Sequence, residues 1–197
     1  MEEDSQSRKL AVILHADIIG STALVQIDEG LAHKRIQQTF QQFSLTIKSY
    51  GGFTRELRGD ALIAEFGRAS DAVTAAIAFQ AENKESNEQI NDAIKPSLRI
   101  GISLGEVIIA DNTITGAGVV LAQRLEQLAQ SDGVVVQGSV SETVPTRLPL
   151  EFTNLGEQVL KGFDQPVRAF AAALKPGLRL CHPNQHQLLI RIKAWNW

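Results

Sequence analysis

The sequence predicts a mixed α+β domain with a ferredoxin-like βαββαβ core and extra C-terminal strands. Two observations lead to this class. Strand-type and helix-type hydrophobic patterns follow one another in the order of that core, and no internal repeat is visible. With 197 residues, of which 44% are hydrophobic, the chain is long enough for one well-packed domain, and a second full domain is not expected.

The first half of the pattern contains a strand, a helix and a hairpin. Residues 10–16 form a near-continuous apolar run, which is typical of a strand covered on both faces. Residues 20–22 offer a turn and a helix N-cap, and a long helix is predicted from there to the stop at residues 50–52. One face of this helix carries apolar residues at helical spacing: Ile36, Phe40, Phe43 and Ile47. Two short strands, 53–57 and 61–66, then form a hairpin.

The next segments predict a helix and a second hairpin. From residue 71 to about residue 83 an apolar stripe indicates a helix packed against the sheet, and the polar residues 82–91 are predicted to be its fraying end and a loop. The stripe consists of Ala72, Val73, Ala76, Ile77 and Phe79. Residues 98–104 and 107–109 are predicted to be strands joined at the Gly-Glu pair between them.

The core ends with a glycine segment, a helix and a strand. Residues 115–118 contain two glycines, and an amphipathic helix is predicted from Val119 onward. Residues 134–137 are predicted to be one more strand. We therefore divide the chain into an N-terminal tail of residues 1–7, one domain over residues 8–174, and a C-terminal tail.

The C-terminal tail, residues 175–197, differs in composition from the rest of the chain. It contains four Lys or Arg residues, no acidic residue and both tryptophans. Its Cys181, His182 and His186 are potential metal ligands, but three ligands without a fourth partner make a weak signal. We favour a loosely ordered tail or a packing arm over a metal site.

Charge and cysteine content limit the classes of partner. The formal charge is −3 and no long run of Lys or Arg occurs, so the sequence lacks the basic surface expected for nucleic-acid binding. The single Cys181 excludes an internal disulfide framework and fits a reducing compartment. Neither a secretion signal nor an apolar run of about 20 residues is found. We expect a cytoplasmic protein with no nucleic-acid partner and no direct membrane insertion.

Two aspartates mark the ends of predicted strands. Asp17 closes the first apolar run, and Asp60 lies in the Arg58-Gly59-Asp60 turn of the first hairpin. Either residue alone is typical of a turn or a helix cap. Together, two carboxylates in these positions could hold Mg²⁺ ions against a nucleoside triphosphate.

The segments around these aspartates resemble the class III nucleotidyl cyclase catalytic domain, the family of adenylyl and guanylyl cyclases. The resemblance runs from about residue 8 to about residue 172 and rests on an Asp-Ile-x-Gly-Ser motif at residues 17–21 and a Gly-Asp hairpin at residues 59–60. It implies the class III cyclase fold, with residues 8–174 as the catalytic domain. It also implies a lyase that converts a nucleoside triphosphate to a 3′,5′-cyclic nucleotide and pyrophosphate, for intracellular signalling.

The resemblance assigns a metal site and a phosphate site. Asp17, Asp60 and the backbone carbonyl of Ile18 would hold two Mg²⁺ or Mn²⁺ ions. The following segment would present amide N–H groups to the β and γ phosphates at a helix N-terminus, where unpaired donors favour anions. That segment consists of Ile19, Gly20, Ser21 and Thr22.

Two basic residues match positions that reach the substrate. Arg124 resembles the arginine of the family's Asn-x-x-x-Arg motif, which acts from the partner subunit on the α-phosphate, and Lys161 resembles a lysine that contacts the terminal phosphates. Without the resemblance, both would be read as solvated surface charges. Val120 occupies the asparagine position that orients the ribose. Because one chain carries both sets of residues, we expect a homodimer with active sites at the interface.

Two further positions concern the base. Glu56, four residues before Asp60, stands where adenylyl cyclases carry lysine and guanylyl cyclases carry glutamate, and a carboxylate there favours guanine. Thr113 stands at the second base-reading position and discriminates nothing by itself. An alternative is that Glu56 pairs with Arg55 or Arg58 and contacts no base.

Three other functions stay open. The loss of asparagine at Val120 suits a catalytically weak or inactive nucleotide-binding or dimerisation module. The departures at Glu56, Thr113 and Val120 also leave room for a pyrimidine cyclase of antiphage defence, a class that resembles this family and lacks its purine-reading pair. The Arg-Gly-Asp tripeptide could indicate cell adhesion, but the missing secretion signal argues against it.

Overall fold

A computed structural model describes residues 7–110, 113–178 and 180 of the chain. Eight strands and five helices occur in this part. In chain order they are β1 (Ser7–Ile18), α1 (Ser21–Ile27), α2 (Glu29–Ser49), β2 (Phe53–Arg58), β3 (Ala61–Phe66), α3 (Ala69–Glu88), β4 (Leu98–Ala110), β5 (Thr113–Thr115), α4 (Ala117–Leu128), β6 (Val134–Gln137), α5 (Gly138–Thr143), β7 (Leu150–Gln158) and β8 (Val167–Leu174). The tail residues Cys181, His182 and His186 lie outside the described residues.

All eight strands belong to one sheet with the order β2-β3-β1-β4-β6-β8-β7, and β5 pairs with β4. The segment β2-β3-β1-β4 is antiparallel throughout, as in a ferredoxin-like core, so the predicted α+β class is confirmed. After the crossover helix α4, β6 pairs with β4 in parallel, and β8 and β7 extend the sheet in antiparallel pairing. These are the expected C-terminal additions.

The two faces of the sheet are covered by different helices. The even-numbered residues of β1, from Val12 to Ile18, pack in a large apolar core with α2 and α3. In that core the ring of Phe43 stacks on that of Phe79 with 4.0 Å between centroids. The odd-numbered residues, including Ala11 and Ile13, face α4. The predicted buried face of α2 and apolar stripe of α3 are both confirmed.

The helix predicted from residues 20–22 onward is in fact two helices. Helix α1 ends at Ile27, and Asp28 has an extended backbone and begins α2. The Asp28 side chain accepts a hydrogen bond of 2.9 Å from the N–H of Leu31, which is typical of an N-cap. The prediction of one helix was wrong because this capping residue was not recognised.

The hairpin predicted around Gly105 and Glu106 was also wrong. Strand β4 runs through both residues without a break, and its antiparallel partner after the turn is β5. Gly105 is required for close packing: a Cβ atom there would lie 2.8 Å from the Cα of Gly118 in α4. The glycine allows a helix to approach the strand and does not form a turn.

The polar residues 82–91 were predicted to be a fraying end and a loop, but α3 continues through most of them to Glu88. Asn83 and Asn87 each donate a 2.9 Å hydrogen bond to the carbonyl of Pro96, and Asn83 is buried. These side chains thus bind the segment that leads into β4. None of the described helices is both long enough and apolar enough to cross a membrane.

Candidate active site

Asp17 and Asp60 lie side by side at one end of the sheet. Strand β1 ends just after Asp17, whose register partners are Ala61 of β3 and Arg99 of β4. Asp60 follows Gly59, which has φ of +61° in the β2–β3 turn. The N–H of Ile18 donates to the Asp60 carbonyl at 2.9 Å, so the turn is bonded to the end of β1. The predicted hairpin therefore presents its aspartate beside the first one.

The charges around the aspartates favour a cation. Burial raises the pKa of Asp17, and the negative charge of Asp60 raises this pKa further, whereas Arg99 lowers it. Arg99 donates from Nη2 to Asp17 Oδ2 at 3.2 Å. Ser21 donates its hydroxyl to Asp60 Oδ2 at 2.5 Å and so orients this carboxylate. A bound cation would relieve the repulsion between the two aspartates.

A buried charged cluster lies directly behind Asp17. Arg99 forms an ion pair through Nε with Oε1 of Glu126 at 2.9 Å, and the other carboxylate oxygen lies 3.7 Å from Nδ1 of His15. Burial raises the pKa of Glu126 to about 7 and lowers that of His15 to about 4. Near neutral pH the histidine is therefore uncharged and Glu126 is ionised in about half of the molecules, so Arg99 is the cation of this cluster.

Close packing of α4 on the sheet brings Glu126 to this position. Arg99, Gly101 and Ser103 share the face of β4 that α4 covers. A Cβ atom at Gly101 would lie 2.1 Å from the carbonyl oxygen of Ala122 and 2.2 Å from the backbone nitrogen of Glu126. Ser103 also donates its hydroxyl to the Gly118 carbonyl at 2.7 Å. Small residues on the strand thus let the helix backbone rest on the sheet.

The sequence patterns did not identify Arg99, Glu126 and His15 as site residues. Each is an ionisable residue inside a pattern that was used only to assign secondary structure. His15 interrupts the apolar run of β1, and Glu126 lies four residues after the buried Ala122, on the apolar side of α4. A charged residue within a buried stripe was the available signal.

The predicted phosphate segment forms the turn from β1 into α1. The N–H of Ile19 already donates to the carbonyl of Ser97 at 2.9 Å, so this amide is used by the sheet edge. Gly20 has φ of +63° and caps α1 by accepting from Ala23 at 2.9 Å. The N–H groups at the start of α1, beginning with Ser21 and Thr22, have no intrahelical acceptor. Of the four predicted residues, Ile19 is thus the one whose amide is committed elsewhere.

The aspartate pair suits metal ions that are shared with phosphate. Within the residues described, no group of three or more His, Cys, Asp or Glu side chains is arranged to hold a metal ion. Mg²⁺ is commonly held by one or two carboxylates together with substrate phosphates and water. Asp17, Asp60 and the neighbouring carbonyl of Ile18 fit this type of site, and Arg99 provides a cation beside it.

Arg124 contacts the backbone of Lys161. Arg124 donates from Nε to the Lys161 carbonyl at 3.4 Å and from Nη1 to Oε1 of Gln127 at 3.0 Å. Neither basic side chain forms an ion pair with Asp17 or Asp60 in the described part of the chain. Val120, one turn before Arg124 on α4, is exposed.

The two candidate base-reading positions are neighbours, because Glu56 accepts a 2.9 Å hydrogen bond from the N–H of Ile114, next to Thr113. The other carboxylate oxygen of Glu56 lies 2.5 Å from Nε of Arg58. The alternative pairing with Arg58 therefore occurs in the single chain. Arg55 instead pairs with Glu65 at 2.8 Å.

A groove of about 820 Å³ lies elsewhere, between α2 and α3. Its lining includes Arg35, Gln42, Leu45 and Asn83 and neither candidate aspartate. We assign no chemistry to this groove, because the convergent carboxylates and cations lie at the end of β1 and not in the groove.

Several known proteins are similar to this chain in sequence or in fold over most of its length. A protein of Rhizobium meliloti named "Putative adenylate cyclase 3" is 29% identical over 180 residues, which cover 91% of this chain and 31% of that protein. The crystal structure of an adenylate/guanylate cyclase/hydrolase from Silicibacter pomeroyi superposes with a TM-score of 0.77 at 28% identity, covering 87% of this chain and 99% of that one. The adenylyl cyclase CyaB from P. aeruginosa has the same fold, with a TM-score of 0.76 at 21% identity, over 89% of this chain and all of that one.

The chain spans about a third of the length of the Rhizobium relative. It spans 56% of an uncharacterized protein of Mycobacterium tuberculosis, to which it is 29% identical over 87% of its own length. The sequence pattern of one family, described as the adenylate and guanylate cyclase catalytic domain, matches residues 3–172. This match covers most of the sequence, and the chain therefore belongs to the adenylate and guanylate cyclase catalytic domain family.

Proposed function

We propose that the protein is a nucleotidyl cyclase, which converts a nucleoside triphosphate to a 3′,5′-cyclic nucleotide and pyrophosphate for intracellular signalling. The observation that carries this proposal is the pair Asp17 and Asp60, which two neighbouring strand ends hold together. The raised pKa of Asp17 supports it, because burial first, and the charge of Asp60 second, disfavour the ionised carboxylate until a cation binds.

Two Mg²⁺ or Mn²⁺ ions, when held by Asp17, Asp60 and the Ile18 carbonyl, would supply Lewis-acid stabilisation of the triphosphate and acidify the 3′-hydroxyl. Ser21 keeps the Asp60 carboxylate in one orientation through its hydroxyl. Arg99 neutralises negative charge beside Asp17 and is the chain's own candidate for a triphosphate contact. The N–H groups of Gly20, Ser21 and Thr22 then bind phosphate oxygens, and the amide of Ile19 stays within the sheet edge.

The remaining groups would come from a second copy of the chain in a homodimer. Arg124 neutralises the charge that develops on the α-phosphate, and Lys161 holds the departing pyrophosphate. The supporting observation is that Arg124 contacts the Lys161 backbone, and that within the described residues neither side chain forms an ion pair with Asp17 or Asp60 of its own chain. A single chain thus carries two incomplete parts of an active site, and a twofold dimer can combine one part from each chain.

The base of the nucleoside triphosphate is either a purine or a pyrimidine in this proposal. Glu56 and Thr113 are adjacent, which supports a shared role in base contact, but the Glu56 carboxylate is held by Ile114 and Arg58. To bind guanine, Glu56 would have to break its ion pair with Arg58 and accept hydrogen bonds from the base instead.

The second candidate is a nucleotide-binding or dimerisation module with little turnover. It is favoured by Val120, whose side chain cannot form a hydrogen bond to the ribose. In this function the aspartate pair, with its metal ions, and the phosphate segment bind a triphosphate. The 3′-hydroxyl of the ribose is not oriented for attack on the α-phosphate.

The test is incubation of the protein with ATP, GTP, CTP and UTP in turn, with Mn²⁺, and identification of products by chromatography and mass spectrometry. Asp17→Asn and Asp60→Asn keep the side-chain shape, and each is expected to lower product formation on the order of 1000-fold. Asp92→Asn, a change in a surface aspartate paired with Arg35, is the matched control.

A cyclic product that is lost in both variants and kept in the control supports the cyclase and identifies its base. If the folded wild-type protein forms no product from any nucleotide, the cyclase proposal is wrong. Calorimetric binding of a Mn²⁺–triphosphate complex in that case supports the binding module.

A further inference from the structure

We propose that Glu126 is a positioning residue, which holds Arg99 against Asp17 and so connects α4 to the active site of its own chain. This inference rests on the proposed function. It adds that α4 serves both sites of the dimer, since Arg124 of the same helix reaches the site across the interface.

The guanidinium of Arg99 contacts the two carboxylates through different nitrogens. Its Nη2 lies 3.2 Å from Asp17 Oδ2, and its Nε lies 2.9 Å from Glu126 Oε1. The side chain of Asp17 is 25% exposed and that of Glu126 only 3% exposed. Glu126 is thus the fixed inner partner, and Asp17 is the outer partner that a metal ion can also approach.

A carboxylate at position 126 is not explained by packing. Its neighbours on the buried side of α4, Ala122 and Leu125, are apolar, and the position is 2% exposed. Replacing a buried ion pair by apolar groups of similar size is often neutral or stabilising, so a buried Glu adds little to stability. What it does provide is a fixed location for the Arg99 guanidinium.

The helix that carries Glu126 is locked on the strand that carries Arg99. The backbone of α4 crosses β4 where Gly101 and Gly105 leave no room for a Cβ atom, and the hydroxyl of Ser103 bonds the Gly118 carbonyl. With these contacts along the helix, α4 cannot slide or rotate without moving the carboxylate away from Arg99.

Arg124 precedes Glu126 by two residues, so the two side chains project from nearly opposite sides of α4. Arg124 extends to the exposed Lys161 segment, whereas Glu126 is buried against Arg99. A displacement of α4 in one subunit would therefore change the positions of Arg99 in its own site and Arg124 in the partner's site together.

The first test compares wild type, Glu126→Gln, Arg99→Gln and the double variant. Glu126→Gln keeps the size of the side chain and frees Arg99 to pair with Asp17 alone, in competition with metal. We expect kcat/KM to fall about 10- to 100-fold and the Mn²⁺ concentration for half-maximal activity to rise, as for outer-sphere partners of metal sites. The matched control is Glu88→Gln, an exposed position at the end of α3.

Adding Glu126→Gln to Arg99→Gln is expected to cause no further loss, because Glu126 acts only through Arg99. Additive losses in the double variant, or an unchanged Mn²⁺ dependence in Glu126→Gln, would overturn the proposal. A merely structural role would lower the folded fraction, which thermal melting measures, without changing the Mn²⁺ dependence.

The second test uses dimers of two different chains, one with Asp17→Asn and one with Arg124→Ala. Only one complete site forms, with Asp17, Asp60 and Arg99 from the Arg124→Ala chain. Glu126→Gln is expected to reduce activity when it is placed on that chain and to have little effect on the other. Equal effects from both chains would contradict the assignment.

Failure of the proposed function is distinguishable from failure of this inference. If wild type forms no product, calorimetric titration with Mn²⁺ in the presence of 3′-deoxy-ATP or 3′-deoxy-GTP replaces the activity measurement. Weaker Mn²⁺ binding in Glu126→Gln than in wild type and Glu88→Gln supports the positioning role in either case. Equal binding in all three proteins overturns it.

Discussion

The two faces of strands β1 and β4 are built from alternate residues of the same segments, and they differ in kind. Toward α2 and α3 the buried side chains of the two strands are all apolar, such as Leu14 and Ile100. Toward α4 they also present charges and glycines: Asp17, Arg99 and Gly101 share this face with apolar residues such as Ile13. One face thus stabilises the fold, and the other holds the candidate site residues in place.

The two faces of the sheet also differ in the ionisable side chains that they bury. The buried ionisable side chains of the described residues are His15, Glu65 and Glu126, and all three lie on the α4 side. Their burial is costly unless they are paired, and the displaced pKa values of His15 and Glu126 reflect this cost. The apolar face supplies the stability that a charged face cannot.

The largest effect is expected from Gly101→Ala, which places a methyl group against the α4 backbone at 2.1 Å. Because the contacts are with backbone atoms of α4, no side-chain rotation can relieve them, and the whole helix must move away from β4. We expect a loss of several kcal/mol of stability, on the order of 3–5, as for severe overpacking, together with loss of the product formation that the proposed function predicts. Chemical denaturation and the nucleotide assay measure the two effects.

Gly67→Ala is the matched control, since no atom lies within 4 Å of a Cβ at that position and its φ is not positive. If Gly101→Ala were as stable as this control, the close packing of α4 on β4 would be contradicted.

The apolar face is tested by Phe43→Ala, which removes a fully buried ring stacked on Phe79. We expect a destabilisation of about 3–5 kcal/mol, measured by urea denaturation. Activity per folded molecule should be retained, because the site lies on the other face. Leu45→Ala in the same helix, 62% exposed, should change stability by less than about 0.5 kcal/mol. A specific loss of catalysis in Phe43→Ala would remove the separation between the faces.

His15 and Glu126 give the α4 side opposite dependences of stability on pH. The pKa of His15 is lowered by burial from 6.5 to about 4, so its contribution is present above pH 6.5 and lost as the pH falls through 4. The pKa of Glu126 is raised by burial from 4.5 to about 7, so its contribution is present below pH 4.5 and lost as the pH rises through 7.

Between about pH 7.5 and about pH 4.5 we therefore expect acidification to stabilise His15→Gln and to destabilise Glu126→Gln relative to wild type, each by about 1–3 kcal/mol. Denaturant unfolding of the three proteins at both pH values measures the two differences. Parallel pH dependences in all three would show that these residues titrate as exposed groups.

The smallest effect is expected from Asp92→Asn on the α2 side, where Arg35 and the N–H of Ile94 bind the carboxylate. The hydrogen bond from Arg35 is the main cause that lowers the pKa of Asp92 to about 2, so its contribution is present above pH 3.8 and lost as the pH falls through 2. Solvent screens this pair, and we expect a decrease in Tm near the limit of detection at neutral pH. A large decrease in Tm would instead show that the Asp92–Arg35 pair contributes as much to stability as the buried ion pairs do.

The sequence predicted the features that depend on local patterns. The strands around Asp17 and Asp60, the buried face of α2 and the stripe of α3 were all recognisable from hydrophobic spacing. The motif around the aspartates was sufficient to expect the family. The metal, phosphate and dimer roles of the individual residues remain predictions that the proposed assays test.

The missed break at Asp28 had a local signal, whereas the other errors arose where a residue's role depends on a distant partner. Gly105 was read as a turn because the helix above it could not be known, and Asn83 was assigned to a fraying end because its acceptor is Pro96. Glu126 and Arg99 are 27 positions apart in the sequence, and no local pattern connects them. Only packing of α4 on β4 does so.

The sequence by itself thus determined the βαββαβ order of the core, much of the apolar core and the two aspartates, because periodicity and turn residues act over a few neighbouring positions. The tertiary structure alone decided that Arg99, Glu126 and His15 meet behind Asp17. The physical reason is that burial and ion pairing depend on which chain segments meet across the sheet. Strand register and helix docking determine those contacts.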